Sequence, residues 1–292
     1  MTAMPTAAST STAAPATARP PRSRWARALR FPETAAGLAI VGILFALGVL
    51  APWIAPHGVD AQSSDSFAGA SASHLLGTDE FGRDVFTRVL FGIRQDVIVA
   101  GLAVPIGAVL GTVLGLLCGL HRVVDVIVER VFDVMLAFTA LVLGVAVSAT
   151  AVGPGMTSIV VTVVLVNVPL FGRLTRSAVQ AQRAREYVVA AEVVGAGRAR
   201  VLLRHILPNA LDALIVQAAL SLSMAVFIEG AMSFVGIGIR PPSPSLGSLL
   251  RTSVNFLDQN PWYALGPIIV VTALVLGFNL IADGLNRGLL RR

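Results

Sequence analysis

An all-α membrane protein with six spanning helices is the fold class this sequence predicts. Three observations predict it. The first is composition. Of 292 residues, 55% are hydrophobic and 13% are charged, with a mean hydropathy of +0.79. A soluble domain carries about 25% charged residues, so too little polar surface remains here to cover a water-exposed globule. A soluble enzyme and a wholly disordered chain are both excluded. The second observation is a set of six charge-free runs, at 35–55, 97–120, 134–152, 156–172, 213–228 and 262–282. The third is the placement of arginine, which alternates in density from one inter-run segment to the next.

The elements follow in order. Residues 1–30 hold Ala, Thr, Ser and Pro without an acid, and read as a disordered cytoplasmic tail. Arg19, Arg22, Arg24, Arg27 and Arg30 close that tail. The run behind them has 21 residues, longer than the 7–15 of a signal-peptide core and enough to span at ~1.5 Å per residue. It reads as an uncleaved anchor. The spans are expected at about 34–55, 97–120, 131–152, 156–174, 210–234 and 262–284. Gly153-Pro154-Gly155 makes a tight turn between the third and fourth. No internal repeat stands out, which weighs against an inverted-repeat transporter. The organisation is a tail (1–30), a first span with its outer loop (31–93), and a five-helix core (94–292) with cytoplasmic helices about 185–206.

Arginine sets the orientation. With the N-terminus inside, 17 of the 22 arginines fall on inner segments and five on outer ones, so both termini are expected in the cytoplasm. The net charge of +6 is then a topology signal and not a nucleic-acid footprint. All 22 basic residues are arginine. Without lysine there is no Walker-A lysine, no Schiff base and no Ser/Lys dyad. The single cysteine, Cys118, makes no intramolecular disulfide and no multi-cysteine metal site.

Three polar stretches carry the functional expectations. The first, H-L-L-G-T-D-E-F-G-R-D, runs from His74 through Gly77, Thr78, Asp79, Gly82 and Arg83 to Asp84. Thr78 is placed to cap a helix with Phe81, Val85, Val89 and Phe91 on its apolar side. This is either an interfacial helix leading into the second span or a contact surface for an external partner. No second ligand lies at helical spacing from His74, so capping or packing is expected of it, and no metal. The second stretch is the inner loop Arg173–Asn209. Tyr187 to Val194 has helical composition with small Ala190 and Ala191, Gly195 and Gly197 bend or end it, a second helix fits Arg198 to Ile206, and Pro208 resets the chain. A short helix with a small-residue face suits docking into another protein's groove. The alternative is an ordinary loop holding positive charge. The third stretch is S-F-V-G-I-G-I-R-P-P-S-P-S-L-G, Ser233 to Gly247. Acids at or in the spans, Asp133, Glu229 and Asp283, are candidates for a proton relay or, alternatively, for span ends and interhelical hydrogen bonds.

These stretches resemble a known family. Ala190-Ala191, Gly195 and Leu207-Pro208, 12 and 13 residues beyond the glycine, are similar to the coupling motif of ABC importer permeases. His74–Asp84 resembles the H-P-L-G-T-D-x-x-G-R-D signature of the second permease of dipeptide/oligopeptide/nickel importers. Ser233, Phe234, Gly236, Gly238, Pro241 and Pro242 match its L-S-F-L-G-L-G-x-x-P-P signature, and Pro261 to Leu285 also fits. The chain departs from the pattern at Val189, Glu192, His205, Leu75, Thr139 and Gln95-Asp96.

The resemblance implies a type I ABC importer (MetI-like) permease fold in the cytoplasmic membrane. It implies a homologous second permease chain, two ABC ATPases and an extracytoplasmic substrate-binding protein as partners, with ATP and Mg on the ATPases and no cofactor on this chain. Tyr187, Ala190, Ala191, Gly195, Arg198, Arg204, Leu207 and Pro208 are then the ATPase-coupling residues, and no residue is catalytic. Relatives with these motifs handle peptides, nickel chelates and glutathione-like solutes, and peptide is the expected cargo. A secondary transporter or channel is the rival class. An intramembrane enzyme finds no H-E-x-x-H, no G-x-S-x-G and no paired carboxylates on one span.

Overall fold

The computed structural model describes residues 25–183, 185 and 197–290, residue 27 excepted. The described residues are helical apart from turns and loops, with isolated bridges at Gln62–Arg83 and Thr78–Asp84. In chain order the helices are α1 (Pro32–Ile54), α2 (Val85–Leu120), α3 (Arg122–Ala137), α4 (Ala140–Ser148), α5 (Met156–Arg183), α6 (Arg198–Val201), α7 (Leu207–Val235), α8 (Leu246–Ser253) and α9 (Trp262–Leu285). A π-turn at Leu202–Ile206 joins α6 to α7, and another at Asn286–Leu290 follows α9. The end carrying the 55–84 loop is called outer below, following the arginine bias.

Five helices, α1, α2, α5, α7 and α9, are long and apolar enough to cross a membrane. The expected third span, 131–152, is not one helix. It is α3 and α4, bent by 93° at Phe138-Thr139. Both residues are extended, and the Thr139 hydroxyl accepts a hydrogen bond from the Val142 N–H at 3.4 Å, capping the new helix. Composition is blind to this break because α4 and the end of α3 are equally apolar.

The helix directions show that this bent pair is still a crossing. Along α2, Gly107, Gly111, Gly115 and Gly119 face Asn167, Val168, Gly172 and Val179 of α5 in rising order. The two helices therefore run parallel, and residues 121–155 must return the chain between them. Asp96 of α2 meets Glu229 of α7, and Gly92 meets Leu246 beyond the end of α7, so that pair is antiparallel. Gly37 of α1 lies on Gly277 of α9, and Thr34 on Gly284, so these too are antiparallel. Alternation through the chain gives six crossings and places both ends of the bundle's chain on one side.

The α2–α5 contact is the tightest seam. A Cβ at Gly111 would sit 2.4 Å from the Val168 carbonyl oxygen, and one at Gly115 2.5 Å from that of Gly172. Only hydrogen at every fourth position of α2 lets the two main chains come this close, and in a membrane close packing replaces the hydrophobic drive between helices. A second cluster joins the outer ends of α2, α8 and α9, with Val85, Val89, Leu90, Ile93, Leu246, Leu249 and Tyr263 buried together. Large apolar residues elsewhere, among them Ile43, Val109, Phe227 and Ile269, stay exposed. They form the apolar belt that a membrane chain turns to lipid or to another membrane chain.

Helix α2 begins 12 residues before its expected start. Arg88, Arg94 and Asp96 exclude this segment from a charge-free run; Arg88 and Asp96 are buried by protein, and Arg94 is exposed. At 36 residues and ~1.5 Å per residue, α2 is roughly 54 Å long, well beyond a ~30 Å hydrocarbon layer. Its first turns therefore belong to the outer loop assembly.

Candidate functional site

The first motif is a folded loop, not the start of a helix. Thr78 was expected to cap one. Instead its buried hydroxyl donates to the Asp65 carbonyl at 2.5 Å and accepts from the Ala68 N–H at 2.8 Å. The helix starts at Val85, capped by Asp84, whose Oδ2 accepts the Thr87 N–H at 2.7 Å. Phe81, expected on an apolar helix face, is exposed. The loop could form only with glycine at two corners. Gly77 and Gly82 have φ of +75° and +70°, and a Cβ on either would collide with a carbonyl oxygen, of Ala68 and Ser63 respectively.

Asp79 is the hub. It is wholly buried, its Oδ1 accepts the N–H groups of Phe81 and Arg83 at 2.9 Å each, and its Oδ2 accepts Arg83 Nε at 2.7 Å. Arg88, also buried, lies 3.8 Å from the same oxygen and 3.7 Å from Asp60. Two outer arginines are thus neutralised by local acids. His74 Nδ1 lies 3.0 Å from Asp84 Oδ1.

The third motif packs against the first. Helix α7 ends at Gly236, in the left-handed region at φ +96°, whose N–H reaches back to Met232 and Ser233. Ser233 is buried. Its hydroxyl donates to Glu229 at 2.8 Å and accepts the Ile239 N–H at 3.3 Å. Gly238 lies directly on Ser233, where a Cβ would sit 2.1 Å from the hydroxyl oxygen. Phe234 is exposed. Pro241 and Pro242, joined by a cis peptide bond, are exposed and border an open hollow of about 460 Å³ that Glu80, Arg83, Arg88 and Tyr263 also line. Asn260 and Tyr263 tie the first loop to the start of α9. The Asn260 amide donates to the Leu76 and Thr78 carbonyls at 3.3 and 3.2 Å, and the Tyr263 hydroxyl donates to Glu80 at 3.1 Å. Asn260, Tyr263 and Glu80 were not picked out from the sequence, since nothing in a single chain pairs positions about 180 residues apart.

The three candidate acids separate. Asp133 is exposed on α3 and pairs with Arg173 of α5 at 2.5 Å. Asp283 is exposed on α9. Glu229 alone is wholly buried, against Ser233 and Asp96. Its hydrogen bond is to Ser233, one turn on in the same helix, and its neighbour across the helix interface is Asp96 of α2. Asp125, Glu129 and Asp133 recur at every fourth residue, a single face of α3, and meet Arg173 and Arg176 of α5. The Asp125–Arg176 pair is bidentate.

At the inner end, Tyr187, Ala190, Ala191 and Gly195 lie outside the described residues. Arg198 opens α6, Arg204 is exposed in the π-turn, Leu207 is half-buried, and Pro208 is exposed in the first turn of α7. Val201, Leu202 and Ile206 bury against Val179 of α5. The chain that leaves α5 at Arg183 is thereby brought back onto α5 before α7 begins.

Comparison with known proteins gives this arrangement its relatives. Residues 111–292 match the family model described as the binding-protein-dependent transport system inner membrane component. The chain is 38% identical to the dipeptide transport system permease protein DppC of Alkalihalophilus pseudofirmus, over 87% of this chain and 84% of that one. It is 36% identical to the di/tripeptide transport system permease protein DppC of Pseudomonas aeruginosa, over 86% and 87%. It is 34% identical to the glutathione transport system permease protein GsiD of Pectobacterium atrosepticum, over 92% and 90%. With six crossings, an outer cap built from two motifs and likeness over nearly its whole length, the chain belongs to the inner-membrane permease family of binding-protein-dependent ABC importers.

Proposed function

We propose that the chain forms one half of the transmembrane pathway of an ATP-driven importer of di- and oligopeptides in the cytoplasmic membrane. The observation that carries the cargo class is the likeness over more than four-fifths of the chain to permeases named for dipeptides and tripeptides. A homologous permease supplies the other half, two ABC ATPases sit beneath it, and an extracytoplasmic binding protein delivers the peptide. Both termini lie in the cytoplasm, in keeping with the 17-to-five arginine bias. The chain has no lysine to hold a nucleotide phosphate in a Walker-A loop, so ATP and Mg belong to the ATPases. A second reading, a glutathione-like cargo, is favoured by the GsiD relative.

Tyr187, Ala190, Ala191 and Gly195, followed by Arg198, Arg204, Leu207 and Pro208, are the coupling segment. Small side chains let it seat closely in an ATPase groove, and the arginines pair with acids there. Nucleotide-driven closure of the ATPases shifts this segment as a lever and exchanges inward- for outward-facing states. The test reconstitutes the chain with its second permease, both ATPases and the binding protein in vesicles. Labelled dipeptide accumulates only with ATP. Gly195→Glu and Ala191→Glu each abolish accumulation at unchanged membrane abundance. Accumulation without the ATPases, or wild-type uptake by both variants, overturns the proposal.

A further inference from the structure

His57 and His74 are 17 positions apart in the chain, and neither lies on a helix. The fold stacks their rings at 4.7 Å between centroids with 24° between planes. Asp84 completes the group. One ligand atom from each of His57, His74 and Asp84 lies within 4.8 Å of the other two. Helical spacing from His74 does not reach His57, because His57 lies in the stretch just after α1.

We infer that His57, His74 and Asp84 form a binding site for one divalent ion of the zinc class on the outer face of the protein. Four features point that way. The donor set is two imidazole nitrogens and one carboxylate oxygen, the hard and borderline donors that zinc takes with three protein ligands and one open position. The carboxylate is pre-aimed. Asp84 is buried and its Oδ2 is held by the Thr87 N–H at 2.7 Å, which turns Oδ1 toward His74 at 3.0 Å. Support of this kind around a ligand fixes its orientation before the ion arrives. The backbone of His74 is fixed as well, its N–H donating to Ser71 Oγ at 3.1 Å and its carbonyl accepting the Gly77 N–H at 2.9 Å. Finally, His57 Nδ1 is shielded from solvent and has no hydrogen-bond partner, an unmet need that a metal ion at this spot satisfies.

The three ligands come from the stretch just after α1, the motif loop and the cap of α2. An ion held by all three staples the first span to the outer cap. Binding displaces any proton shared between His74 Nδ1 and Asp84 Oδ1, one or none per ion, and changes no covalent bond.

The test uses the full chain in detergent, stripped with chelator. Co2+ is titrated and read by the visible absorption of a four-coordinate ion, and bound Zn2+ is counted by elemental analysis after dialysis. The expected result is one ion per chain, with the Co2+ bands removed by equimolar Zn2+. His57→Phe keeps the ring stack and loses a ligand, so its affinity falls at least about tenfold. Asp84→Asn keeps an oxygen for the Thr87 N–H and weakens binding likewise, which guards against misfolding of either variant alone. Zn2+ raises the unfolding temperature of the wild type and leaves that of His57→Phe unchanged. Absence of a stoichiometric ion in the wild type, or equal binding by wild type and both variants, overturns the site.

Discussion

The outer and inner ends of this bundle handle charge in opposite ways. At the outer end, Asp79 is fully buried and Arg88 and Arg83 expose 6% and 13% of their side chains. At the inner end, Arg173, Glu129 and Asp133 expose 37%, 31% and 46%. The same residue types thus make a locked cap on one side and a wet ladder on the other. Breaking a buried pair strands a charge away from water at about 3–5 kcal/mol, whereas an exposed pair trades contact for hydration at ~0–1 kcal/mol. The cap holds one geometry. The ladder between α3 and α5 is cheap to release and remake.

Three measurements break or sharpen this contrast. The largest effect is expected from Asp79→Ala, which leaves Arg83 and Arg88 without their buried counter-ion. A loss of about 3–5 kcal/mol shows as a markedly lower unfolding temperature in detergent. A loss under 1 kcal/mol would mean that the cap is no more locked than the ladder. Next comes Gly111→Val, in the seam that joins the two ends. Its Cβ meets the Val168 carbonyl at 2.4 Å, so overpacking costs about 1–3 kcal/mol. Double-mutant analysis with Val168→Ala is not expected to rescue it, since the clash is with main chain. The smallest effect is expected from Arg173→Ala, at most about 1 kcal/mol. It shrinks further in 1 M salt, where the Debye length is about 3 Å, while the Asp79→Ala effect persists. Equal salt sensitivity of the two would remove the contrast.

How much of this was legible in the sequence depends on whether the signal was local. The five long spans were readable because hydrocarbon excludes charge over consecutive residues. The last span, expected at 262–284, is helical at Trp262–Leu285. The start of α2 was not readable by that rule, because it carries three charges, of which Arg88 and Asp96 are shielded by protein and Arg94 is exposed. The bend at Phe138-Thr139 lay hidden within an apolar run. Two features do have local signals, namely glycine at every fourth position from 107 to 119 and acids at every fourth from 125 to 133. Each is a helix face written plainly in the chain. The motifs at His74–Asp84 and Ser233–Gly247 were visible as motifs, but their meeting beside Leu246 and Tyr263 is a fact of tertiary structure. So is the approach of His57 to His74.

The glycine seam has a mechanical consequence. Where main chain rests on main chain, no rotamer stands between two helices to absorb a displacement. Helix α5 ends at Arg183, at the inner end, and α2 begins at Val85, inside the outer cap. Packed main chain on main chain at Gly111 and Gly115, the pair behaves as one beam with one tip at the inner end and the other in the outer cap. A tilt imposed at the inner tip arrives at the outer tip with its sign fixed by geometry and with little lost on the way.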